Sequence, residues 1–243
     1  WIVPTPPGGP TDMVARLVGE KLGQALGQPV VVDNRGGAGH VIGTEAVARA
    51  APDGYTFGMV TTPHVVNPAL VKKLPYDTLK DFEPVSWVTS LPLVLVVNVE
   101  LPVRSARELV ELANAKPGTL NMASPGNGTG PHLAGELFRQ TTHIKVAHIP
   151  YKGGAQATTA VLAGEASFYF DSPASALPHV RSGKLRALAV TSSRRNAAAP
   201  EVPTMTEAGY AAVDFNSWNG LIAPAGTPKA ITARMQAEIA KVL

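Results

Sequence analysis

The chain has 243 residues, of which 45% are hydrophobic and 16% charged, enough apolar material for one large or two small domains with proper cores. It has no cysteine, which excludes disulfides, cysteine zinc sites and thiol catalysis. The net charge of +3 comes from scattered Lys and Arg with no block of five like charges, which speaks against a nucleic-acid arm or a polybasic membrane anchor. No apolar run reaches 18 residues, so no membrane-spanning helix is expected.

The apolar run Trp1-Ile2-Val3 opens the chain as a strand and is followed by Pro4-Thr5-Pro6-Pro7-Gly8-Gly9-Pro10-Thr11-Asp12. The prolines fix φ and stiffen this loop, and Gly8 and Gly9 let backbone approach a bound group closely. Pro10 suits a helix start, and Met13 to Leu26 is amphipathic. The unpaired N–H groups of such a start carry partial positive charge and suit a carboxylate or phosphate.

The same order then recurs. Pro29 to Val32 reads as a strand, Asn34 to Gly39 as a loop, Val41 to Ala50 as a helix and Tyr55 to Thr61 as a strand. Thr62-Pro63-His64 opens another loop. Val85 to Val88 and Leu93 to Val97 are strands flanking Thr89-Ser90-Leu91-Pro92. Ser105, with Glu108 three residues on, caps a helix to Ala115. Leu120 to Ala123 is a strand, Ser124 to Pro131 a Gly-rich loop and His132 to Gln140 a helix. Lys145 to Ile149, Ser167 to Phe170 and Leu185 to Val190 are strands. Ala155 to Ala163 and Ala174 to Arg181 are helices, the second ended by Gly183. Pro203 to Ala208 is a short helix, Phe215 to Ile222 is extended, and Pro228 to Leu243 is a final helix.

Strands alternating with helices predict an α/β fold with mainly parallel sheets. Two runs of the pattern suggest two lobes, residues 1–99 with 219–243 and residues 100–218. Ligands of open parallel sheets sit beyond the C-terminal strand ends, so two such lobes would form a ligand cleft walled by one helix N-terminus each.

The candidate chemistry is anion binding. Ser124, Gly126, Gly128 and Thr129 offer amides and hydroxyls, matching the seat of Pro7, Gly8, Gly9, Thr11 and Asp12. Thr62, His64 and Ser90 lie in strand-end loops and join the candidate set. Asp171 either meets a ligand or caps the helix after it, and Trp218 either stacks on a ligand or packs the crossing between lobes. Gly37-x-Gly39-x-x-x-Gly43 lacks a ribose contact on the next strand and reads as a helix start packed on the sheet, not a nucleotide site. His132 and Glu136 share a helix face as a cap or surface pair. No Gly-x-Ser-x-Gly elbow or metal-ligand spacing occurs, so no catalytic residue, metal or cofactor is expected.

Taken together, Pro6-Pro7-Gly8-Gly9-Pro10-Thr11-Asp12, Asn34-Arg35-Gly36-Gly37-Ala38-Gly39, Pro52-Asp53-Gly54-Tyr55, Leu74-Pro75-Tyr76-Asp77, Gly126-x-Gly128-Thr129-x-x-His132-Leu133-Ala134-Gly135-Glu136, Pro150-Tyr151-Lys152-Gly153-Gly154 and Ala223-Pro224-Ala225-Gly226-Thr227-Pro228 resemble, in order, the Bug family. These are the substrate-binding proteins of tripartite tricarboxylate transporters. The resemblance implies a periplasmic binding protein of two lobes that closes on a small carboxylate, held partly through ordered waters by the loops Pro7 to Asp12 and Ser124 to Thr129. It also implies membrane permease subunits as partners, a monomer, no nucleic acid, and further stretches before and after this chain that complete the first lobe. The rival readings are a hydrolase or transferase acting on a carboxylate substrate, and a sensory module that presents its ligand to a receptor.

Overall fold

A computed structural model describes residues 1–243. The chain divides into two compact units, Trp1–Ser90 with Trp218–Leu243, and Leu91–Ser217.

In the first unit, strands β1 (Ile2–Val3), β2 (Asp33–Asn34), β3 (Gly58–Val60), β4 (Phe82–Pro92) and β10 (Asn216–Pro224) form a sheet in the order β2-β1-β3-β10-β4. Alternate residues of a strand point to opposite faces. Val3 accordingly packs with Ala15, Val18 and Leu22 of helix α1 (Pro10–Leu26) and with Met235 and Ile239 of α8 (Lys229–Val242). Ile2 turns to the other face, with Val47 of α2 (Val41–Ala48) and Tyr76, Phe82 and Ile222. Helix α3 (Thr62–Leu70) follows β3.

In the second unit the sheet order is β7-β6-β8-β5-β9, from β5 (Val94–Asn98), β6 (Asn121–Ser124), β7 (Ala147–Pro150), β8 (Phe168–Asp171) and β9 (Leu185–Val190). Leu95 and Val97 join the core of α4 (Ala106–Ala115) and α5 (Gly130–Thr142) around Phe138. Val94 and Val96 join that of α6 (Gly154–Leu162) and α7 (Pro173–Arg181). Each of these side chains is fully buried, a state worth about 1.5–3 kcal/mol per Val or Leu.

Several expectations are corrected. The sheets are mixed, not mainly parallel: β5 runs antiparallel to β8 and β9, and β10 antiparallel to β3. A βαβ crossover produces parallel neighbours, and the pairs β1–β3 and β6–β8 that flank such crossovers are parallel. β5 follows directly on the first point where the chain leaves one unit for the other and β10 spans the second, with no crossover helix before either. Residues 91–99, expected in the first lobe, contribute β5 to the second sheet, and Trp218 belongs to the first unit. Thr62-Pro63-His64 is the start of α3, not a loop, with Pro63 in its first turn, where the missing N–H costs nothing. The strand expected at Pro29 to Val32 pairs only at Asp33–Asn34. Pro203 to Ala208 makes a turn closed by Thr204 and Glu207 rather than a helix.

Candidate functional site

Each unit carries one candidate strand-to-helix loop. The first runs from β1 to α1. Gly8 has φ of +82°, a conformation that favours glycine. Its N–H donates to Oδ2 of Asp12 at 2.9 Å. Arg16 Nε donates to the same oxygen at 3.0 Å, and Asn34 Nδ2 donates to Oδ1 at 2.9 Å and to the Thr5 carbonyl at 3.0 Å. Burial would raise the Asp12 pKa, but the hydrogen bonds from Arg16, Gly8 and Asn34 outweigh it and hold the carboxyl below its ordinary value. Both carboxylate oxygens of Asp12 are therefore spent on holding the loop. What faces outward is backbone: helix α1 has no side-chain cap, Met13 N–H is the first to bond back, to the Gly9 carbonyl, and the N–H groups of Thr11 and Asp12 have no intrahelical acceptor.

The second loop runs from β6 to α5. Gly126 and Gly128 have φ of +132° and +75°. The Gly126 N–H donates to Ser124 Oγ at 3.1 Å, the Thr129 hydroxyl donates to the Gly126 carbonyl at 2.7 Å, and the Gly128 N–H donates to Nδ1 of His132 at 3.1 Å. Ser124 Oγ also lies 2.6 Å from Nε2 of His148, whose ring stacks on His132 with centroids 4.1 Å apart. Helix α5 likewise has no side-chain cap, so the N–H groups of Gly130 and His132 have no intrahelical acceptor. Ser105 and Ser172 cap α4 and α7, and α2, α3, α6 and α8 share with α1 and α5 the lack of a side-chain cap.

A serine on an imidazole is the beginning of a nucleophile–base pair. Here Ser124 has no exposed surface, and burial, with the neighbouring His132 adding to it, pushes the His148 pKa down to about 4, far from what a general base at neutral pH needs.

Comparison with known proteins decides the family. The family model described as "Tripartite tricarboxylate transporter family receptor" matches residues 14–243. The chain belongs to this receptor family. Protein BugT of Bordetella pertussis is 42% identical over 244 residues, spanning 100% of this chain and 75% of BugT. Among solved structures, MatC from Rhodopseudomonas palustris with bound malate is 33% identical with a TM-score of 0.93, covering 99% of this chain and 83% of MatC. R. palustris Rpa4515 with adipate is 34% identical with a TM-score of 0.95, covering 98% of this chain and 81% of Rpa4515. The receptor family consists of solute-binding proteins of two lobes, and this chain has no helix long and apolar enough to cross a membrane.

The other candidate residues of this receptor fall outside the two loops. Thr62 and His64 are buried in the first turn of α3, and neither Thr62 Oγ1 nor His64 Nδ1 has a hydrogen-bond partner. His64 stands edge-on to Phe82, 5.1 Å between centroids. Ser90 is exposed on β4. Trp218 stacks on Trp87 at 5.0 Å and 24°. Asp171 is fully buried, accepting from the Thr158 hydroxyl at 2.9 Å and the Ser172 N–H at 2.7 Å. Burial pushes its pKa up to about 6 against those bonds. The helix cap beside it is Ser172, not Asp171.

Arg16, Asn34 and His148 bond to residues of the two loops and lie outside the candidate set read from the sequence. Asn34 had a signal, since it opens the Gly-rich string after β2. His148 had none, because it lies 24 residues from Ser124. The parallel register of β6 and β7, Met122 with His148 and Ser124 with Pro150, sets His148 and Ser124 on one sheet face.

Proposed function

We infer that this receptor captures a small organic carboxylate and does not turn it over. The observation that carries the reading is the pair of Gly-rich loops, each internally closed and each ending in an uncapped helix start whose amides point away from the helix. Uncapped helix starts attract anions, and preformed donors need little ordering on binding. Hydrogen bonds to a charged acceptor contribute about 1.5–3 kcal/mol each, so the two free amides at either helix start already make a seat for a carboxylate. No cation is needed: the Arg16 guanidinium beside the first loop is already engaged by Asp12 and Asn34, and that of Arg35 by Asp33. The malate and adipate of the two R. palustris neighbours support a carboxylate ligand. Membership of the receptor family supports capture in the periplasm and delivery to a membrane permease.

The test is a thermal-shift screen of mono-, di- and tricarboxylates, amino acids and aromatic acids. A ligand at a hundredfold excess over its Kd stabilises by about 2.7 kcal/mol, roughly 5–11 °C for a chain of this size. Gly9→Val, where the backbone accepts a side chain but the branched group crowds the amides, and Thr129→Val, which removes the hydroxyl that closes the second loop, should fold and lose the shift. A flat screen on folded protein, or shifts retained in both variants, overturns the assignment.

A further inference from the structure

The Ser124–Thr129 loop is sewn at both ends to one pair of histidines. At its start Ser124 Oγ meets Nε2 of His148, and at its end the Gly128 N–H donates to Nδ1 of His132. A backbone N–H can donate only to an imidazole nitrogen that carries no proton. His132 is therefore uncharged in this arrangement, with its proton on Nε2. Adding a proton to Nδ1 would set two N–H groups against each other across 3.1 Å, and the loop would lose one of the bonds that close it. The two rings stack at 4.1 Å, so a charge on one opposes a charge on the other.

We propose that His132 and His148 are positioning residues for the ligand loop, and that protonation of His132 opens the loop and weakens carboxylate capture. This rests on the carboxylate reading above. The charges that act on the pair are Glu136, which favours protonation of both rings, Arg139, which opposes it at His132, and the rings themselves. Glu136 is partly neutralised by its 2.6 Å ion pair with Arg139. Strands β6 and β8, on which α5 packs, bring no further charge to the His132 ring. Burial dominates and lowers the pKa of both rings, so the loop is closed at neutral pH and opens on acidification.

The experiment has two arms on the whole chain. In the first, the Gly128 amide and the His132 ring are followed by NMR from pH 7.5 to 4.0 without ligand. The Gly128 amide should move with the same midpoint as the ring. In His132→Asn, whose Oδ1 takes the place of Nδ1 as acceptor, the amide should stay still. An amide that ignores the His132 titration overturns the proposal.

In the second arm malate and adipate are titrated calorimetrically at pH 7.5 and 4.0. Both acids take up protons over this range, so each variant is compared with the native chain on the same acid. The native Kd should rise about tenfold more than that of His132→Asn, the equivalent of one lost hydrogen bond. His132→Ala should bind more weakly than His132→Asn at both values. Equal pH dependence in native chain and His132→Asn overturns the link to capture. If neither acid binds at any pH while the Gly128 amide still titrates, the loop coupling stands and the carboxylate reading falls.

Discussion

Gly8 donates its N–H to the carboxylate of Asp12, four residues ahead, and so the opening loop is closed by the first turn of the helix it leads into. The carboxylate also binds Asn34 and Arg16, and its side chain is 4% exposed. Asp12→Ala leaves Gly8 and Asn34 without an acceptor and should cost about 3 kcal/mol, or roughly 6–12 °C in melting temperature. Asp12→Asn keeps one acceptor oxygen but sets an NH2 group where the other stood, so it loses the ion pair to the half-exposed Arg16, worth up to about 1 kcal/mol, and one of the loop's hydrogen bonds, worth about 1 kcal/mol. Denaturant titration of the two variants checks the order. Equal costs would mean that charge, not loop closure, is what Asp12 supplies.

Three glycines near this loop should respond differently to alanine. A Cβ at Gly43 would lie 2.8 Å from the Pro4 Cα and 2.8 Å from the Arg35 carbonyl, both backbone atoms that cannot step aside. Gly43→Ala should cost about 1–3 kcal/mol or more. At Gly8 there is open space but a φ of +82°, so Gly8→Ala should cost about 1–2 kcal/mol. Gly9 has φ of −86° and only the Pro6 carbonyl at 3.9 Å, so alanine there should fall within about 0.5 kcal/mol of native. Chemical denaturation of the three proteins gives the ranking directly, and a Gly9→Ala as costly as Gly43→Ala would contradict it.

The two Gly-rich loops were readable because their signals are local. Glycine, proline and a following amphipathic run state the turn and the helix start within a dozen residues. The tight helix packing of Gly43 was readable for the same reason. What escaped depends on pairing. The run Leu93 to Val97 announces a buried strand, but nothing in it says which sheet it joins, and that choice set the boundary between the units. Pro63 and Pro68 concealed α3, since both occur within its nine residues. His148 reaches Ser124 only through strand register. Asp12 read as a ligand contact because an acid at a helix start suits either role, and only the positions of Gly8, Asn34 and Arg16 show where its oxygens go.

Trp87 and Trp218 stack face to face on neighbouring strands of the first sheet. Trp87 is 59% exposed, whereas Trp218 is partly buried against the cluster around Phe82 and Ile222. Offset stacking contributes about 0.5–1.5 kcal/mol beyond area burial. Trp87→Ala should destabilise the chain by about 1–2 kcal/mol and abolish the exciton couplet that two coupled indoles give in circular dichroism. Trp1→Phe should leave the couplet in place, because Trp1 belongs to the core beside α1 and α8. A couplet that survives Trp87→Ala would mean that the two rings are not stacked in solution.

Acid should weaken the fold before it neutralises the carboxylates. Burial pushes His40 and His64 down to about 4, and His148 is held at about 4 by burial and its neighbour. Unfolded, each would take a proton near its ordinary 6.5. Between those values the unfolded chain binds more protons, so stability is full above 6.5 and falls as pH drops toward 4. Asp171 acts in the opposite sense. Burial raises it to about 6 from 3.8, so the folded chain holds its proton longer and stability from this group is lost as pH rises across that interval. Burial lowers His132 as well, so four histidines against one aspartate leave a net loss on acidification. Melting temperature should therefore fall from pH 7 to pH 4.5, and fall less in His64→Phe, which keeps an aromatic ring against Phe82 without a titrating nitrogen. A melting temperature that rises toward pH 4.5 in the native chain would mean that Asp171, not the buried histidines, governs its acid response.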